Sequence, residues 1–112
     1  YVSIPHMATD ALLVLTTLGS SGDARALVRG LVEDRLVACG TMVPAASIYR
    51  WEGAVHEEEE VVVLLKTDVS KWDALSAAVQ DRHPYDVPEL LAFPATAGSS
   101  AYLSWVKTEV GA

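Results

Sequence analysis

The chain has 112 residues, 51% of them hydrophobic and 21% charged, which is enough apolar material for one core and unlike a disordered segment. Its formal net charge is -7, and its eight Lys and Arg residues are scattered, which disfavours a phosphate-binding surface, so no nucleic-acid partner is expected. A metal cation or a basic partner suits that charge, and so does plain solubility.

One cysteine, Cys39, allows no intrachain disulfide and fits a reducing, cytoplasmic compartment. No apolar run approaches the roughly 20 residues that cross a bilayer, so no membrane partner is expected. Residues 1–6 are read as an expression remnant ahead of a native Met7 and are set aside together with His6. One domain over residues 7–112 remains. A domain of this size buries only about two thirds of the surface of its unfolded chain, so assembly into an oligomer is a natural way to bury more.

In chain order, residues 11–17 form a short leucine-rich run closed by Gly19, Ser20, Ser21 and Gly22, which predicts a buried strand. Ser20 and Asp23 have the spacing of a capping box, and Ala24, Leu27, Val28, Leu31 and Val32 recur at helical spacing. That helix is expected to end near Leu36. Residues 37–43 predict a second strand, where Pro44 marks a bulge, a bend or a sheet edge. Residues 47–52 resume the alternation, with Tyr49 and Trp51 on one face and Ile48 and Arg50 on the other.

Gly53 and the run Glu57-Glu58-Glu59-Glu60 flank a turn; the acidic run could hold a hard cation, but is expected as a solvated hairpin end. Residues 61–65 are apolar on both faces and predict a central strand ending at Lys66. A second helix is expected from Ser70, capped with Asp73, its inner face made by Trp72, Leu75, Ala78 and Val79. Pro84 stops it and leaves His83 at its C-terminus. Residues 87–93 predict a last strand, and Ser99 or Ser100 caps a final helix. The order β-α-β-β-α-β predicts an α+β, ferredoxin-like plait with an extra C-terminal helix. Two helices would cover one sheet face, and the apolar remainder of the other would pack against copies of the same chain.

Few residues offer chemistry. His83 has Tyr85 and Glu89 nearby in sequence and could ligate a metal or carry a proton, or it could simply close the helix end through free carbonyls. Cys39 is a soft metal ligand or a small buried hydrophobe. Lys66 could pair with Glu89, hold an anionic ligand, or extend to water. Tyr49, Trp51 and Tyr85 could wall a small-ligand cleft or anchor a subunit interface. No closed zinc site, phosphate loop or catalytic triad follows from the spacing, so no enzyme is expected.

Ser47-Ile48-Tyr49-Arg50-Trp51-Glu52-Gly53 and His83-Pro84-Tyr85-Asp86-Val87-Pro88-Glu89-Leu90 together resemble the CutA divalent-cation-tolerance family. Residues 33–39, 64–67 and 102–105 support that resemblance, which runs from about Leu12 to Val106. It implies a ferredoxin-like homotrimer similar in architecture to the PII signalling proteins. It also implies association with copper or other divalent metals as the possible cofactor, and no established catalytic activity. The ligand-binding cleft would then lie between subunits near Tyr49, Trp51, Lys66, Tyr85 and Glu89, with His83 and Cys39 as metal candidates. Where some members place a cysteine and a second histidine for copper, this chain has Thr16 and Arg82, neither of which suits that role. A PII-like sensor of a small anionic metabolite, with Lys66 and Arg50 as counter-charges, is the alternative.

Overall fold

The computed structural model describes residues 9–112; the reading of residues 1–6 and of Met7 lies outside them. Among the described residues, four strands make one antiparallel sheet accompanied by three α-helices. The elements are β1 (Ala11–Leu18), α1 (Ser21–Glu33), β2 (Cys39–Trp51), β3 (Ala54–Asp68), α2 (Trp72–Arg82), β4 (Leu91–Pro94) and α3 (Ser100–Glu109). The strand order is β2-β3-β1-β4.

Register sorts the side chains into two faces. Gly40, Leu65, Val14 and Ala92 lie side by side on one face, and Cys39, Lys66, Leu13 and Phe93 on the other. The first face holds the core. Val14, Leu18, Val63 and Leu65 pack there against Ala24, Leu27, Val28 and Leu31 of α1 and Leu75 and Val79 of α2. At Gly40 a Cβ would stand 2.7 Å from Val28 Cγ1 and 2.9 Å from Leu65 Cδ2, so α1 approaches the sheet over a bare backbone.

The helix ends follow local chemistry. Ser20 Oγ accepts from the Asp23 amide, as expected for α1. The helix stops at Glu33 rather than near Leu36, because Arg35 turns left-handed at φ 57° and the Leu36 amide reaches back to the Leu31 carbonyl. The cap of the second helical region is Asp68, not Ser70. Its carboxylate accepts from the Ser70 amide and hydroxyl, and a 3-10 turn over Val69–Lys71 precedes α2.

Three further expectations are sharpened. The 37–43 and 47–52 segments are one continuous strand, β2, because Pro44 sits on an edge strand where its missing amide costs no ladder bond. The turn is Glu52-Gly53 alone, both at positive φ (50° and 80°), and Glu57–Glu60 lie within β3 opposite residues 45–48. The last strand is shorter than expected, Leu91–Pro94, because Pro84 and Pro88 keep the preceding segment out of the ladder. The β2–β3 hairpin reaches past β1, and the radius of gyration of 15.2 Å exceeds the about 13 Å of a compact chain of this length.

Candidate functional site

His83 ends α2 in extended backbone, φ -73° and ψ 137°, as a residue before proline must. Its ring is buried, 6% exposed, and lies against the end of β1. Nε2 is 2.7 Å from the Thr17 carbonyl oxygen, and Nδ1 accepts from the Tyr85 amide at 3.1 Å. A carbonyl can only accept, so Nε2 carries the proton, and an amide can only donate, so Nδ1 is the bare nitrogen. Both ring nitrogens are thereby committed. The Tyr85 ring tilts against the imidazole at 4.7 Å between centroids. A Cβ on Gly19 would stand 3.0 Å from the Tyr85 hydroxyl, so this ring rests over the glycine that follows β1.

The neighbouring surface is acidic and aromatic. His56, Glu58 and Glu60 share the face of β3 on which Tyr49 of β2 lies, and Tyr49 stacks on His56 with centroids 5.5 Å apart. Burial, then the nearby Glu58 and Glu60 carboxylates, push the Tyr49 hydroxyl above its ordinary value. Burial, then Glu60, Glu58 and Asp23, do the same for Tyr85. The phenols are therefore neutral acceptors and donors beside carboxylates.

Lys66 is elsewhere. It pairs with Cys39 and Leu13, and Nζ donates to Thr41 Oγ1 at 2.7 Å instead of meeting Glu89. Leu13 is six residues before Gly19, which is about 20 Å along a strand. Cys39 Sγ stands 3.6 Å from the Tyr102 hydroxyl of α3, and burial followed by the thiol pushes that phenol up. Trp51 sits at the hairpin turn opposite Ala54, and Glu89 is exposed. The expected cleft residues thus separate within one protomer. Tyr49 and Tyr85 share a surface, Trp51 follows two residues beyond Tyr49 on the same face of β2 as expected, Lys66 and Cys39 lie at the far end of the sheet, and Glu89 is exposed outside the strands.

The residues do not fit a resident copper or zinc ion within one protomer. Among the described residues no three His, Cys, Asp or Glu side chains group to hold a metal. Thr16 points into the core with its hydroxyl unpartnered. Arg82 is ion-paired to Asp34 at 2.6 Å. That Glu58 and Glu60 of β3 share a face with Tyr49 of β2 was missed from sequence, because strand pairing sets it; the alternation of Glu58 and Glu60 was the available local signal.

Comparison with known proteins places this architecture. Residues 12–109 match the model of a family described as CutA1 divalent ion tolerance protein. A divalent-cation tolerance protein CutA of Pectobacterium atrosepticum is 41% identical over 102 residues, covering 90% of this chain and 93% of its own. Its counterpart in Thermus thermophilus is 42% identical over 100 residues, covering 88% and 97%. The crystal structure of CutA from Xylella fastidiosa superposes with a TM-score of 0.89 at 35% identity, covering 91% of this chain and 99% of that one. By sequence and by fold, this chain belongs to the CutA1 divalent ion tolerance family.

Proposed function

We propose that this chain is a non-enzymatic homotrimer that binds copper or another divalent cation and acts in the response to metal. The family match over residues 12–109 carries that reading. The strand order β2-β3-β1-β4 supports the ferredoxin-like plait that such a trimer would use. The face away from α1 and α2 supports the assembly: Leu91 is 52% and Phe93 47% exposed, beside half-exposed Leu13 and Val43. Apolar side chains exposed side by side on one sheet face are the kind of surface that marks an interaction site. The free thiol of Cys39 suits a reducing, cytoplasmic setting.

Because no three His, Cys, Asp or Glu side chains group among the described residues of one protomer, the cation is held where copies meet. The Glu58 and Glu60 carboxylates with the Tyr49 and Tyr85 hydroxyls supply hard oxygen donors for it. A PII-like anion sensor is less favoured, because Lys66 and Arg50 stand on opposite faces of the sheet and cannot converge within a protomer. A hydrolytic pairing of His83 with Glu89 has no geometric support, since the ring nitrogens are occupied and Glu89 is exposed. Calorimetric titration of Cu(II) and Zn(II) into tag-free protein tests the reading. Saturable binding is expected, weakened at least tenfold in Glu58→Gln with Glu60→Gln. A flat isotherm for both ions removes it.

A further inference from the structure

We propose that His83 is a two-ended clamp rather than a cation ligand, holding the His83-Pro84-Tyr85 turn to the end of β1 so that the Tyr85 ring is seated over Gly19. The imidazole is a bridge between two backbone groups that belong to different elements. Nε2–H donates to the Thr17 carbonyl at 2.7 Å, 66 residues away in sequence, and Nδ1 receives the Tyr85 amide at 3.1 Å. The ring is 6% exposed, so each bond is worth more than it would be in water, and losing either would leave a buried polar group unpaired.

The segment needs such a clamp. Residues 84–90 belong to no helix or strand, and Pro84 and Pro88 contribute no amide of their own. His83 supplies the bond that closes the start of this segment. Tyr85 packs on the clamp at 4.7 Å between rings, and its hydroxyl end lies over Gly19. His83 is therefore a positioning residue for Tyr85, whose phenol borders the Glu58 and Glu60 surface.

The same geometry excludes the ring as a metal ligand. A cation at Nδ1 must displace the Tyr85 amide, and a cation at Nε2 must displace a proton bonded to a carbonyl. Thr16 and Arg82, the positions that would have to join it, are a core hydroxyl and an ion-paired guanidinium. The clamp operates whether or not copies of the chain bind cations elsewhere, so its failure is separable from failure of the cation reading.

Nitrogen NMR of the histidine ring in the wild-type protein reads the tautomer directly. A protonated Nε2 with a bare Nδ1 is expected, unchanged by one equivalent of Zn(II). An Nδ1–H tautomer, or loss of the Nε2 proton on adding Zn(II), overturns the proposal. His83→Asn keeps an acceptor close to Nδ1, and His83→Gln keeps a donor close to Nε2. Exchange of the Tyr85 amide is expected to remain slow in His83→Asn and to accelerate at least tenfold in His83→Gln. Equal exchange in the two variants would sink the clamp.

Discussion

At the scale of single residues, two buried polar groups show opposite solutions to the same problem. Thr16 is fully buried beside Val63, and its hydroxyl has no partner. Replacing it with the isosteric Val removes the desolvation cost without changing the shape. Thr16→Val is expected to raise stability by about 1 kcal/mol, read as a higher urea midpoint at unchanged slope. Asp68 is buried but satisfied. Burial alone pushes its carboxyl up, yet bonds from the Ser70 hydroxyl and amide and from the Lys107 ammonium at 3.1 Å outweigh that and hold it below its ordinary value. A carboxyl lowered in the folded state binds fewer protons folded than unfolded. Its contribution is complete above the unfolded value of about 4 and is lost as pH falls through the lower folded value. Asp68→Asn is therefore expected to destabilise the protein at pH 7, with the difference from wild type shrinking towards pH 3. A difference that grows in acid would contradict this assignment.

At the scale of elements, the sequence pattern was most informative where one local rule acted alone. Ser20 capped α1, Pro84 stopped α2, and the two-faced apolar run at 61–65 lies within the central strand β3. It was least informative where two rules competed. Pro44 left a bulge, a bend and a sheet edge open, and only strand pairing selects the edge, through which β2 runs on. The four glutamates were expected at a solvated hairpin end; Glu57–Glu59 are exposed there, and cross-strand pairing carries the run into β3. Two element-scale tests follow. Gly40→Ala is expected to cost about 1–3 kcal/mol, because neither Val28 nor Leu65 can yield without moving α1 off the sheet. Glu52→Asn is expected to add about 0.5–1 kcal/mol, because Asn tolerates the left-handed φ of 50° that this turn demands. Chemical denaturation measures both.

At the scale of the whole molecule, the prediction concerns assembly. Light scattering at micromolar concentration is expected to give three times the 12.0 kDa chain mass. Phe93→Asp with Leu91→Asp is expected to lower that mass by placing charge on the exposed apolar face. A monomer mass for the wild type would remove both the assembly and a cation site between copies. The family and the α+β class were legible in the sequence, because strand and helix periodicity and two linear motifs are local properties of the chain. Which candidate site residues meet was not. Tyr49 and Lys66 are both near the motifs in sequence, yet strand pairing sends them to opposite ends of the sheet. The role of His83 was likewise undecidable from spacing, since its Nε2 partner, the Thr17 carbonyl, lies 66 residues away. Only the folded chain brings that carbonyl to the imidazole, and hydrogen bonds made through space decide what a side chain is free to do.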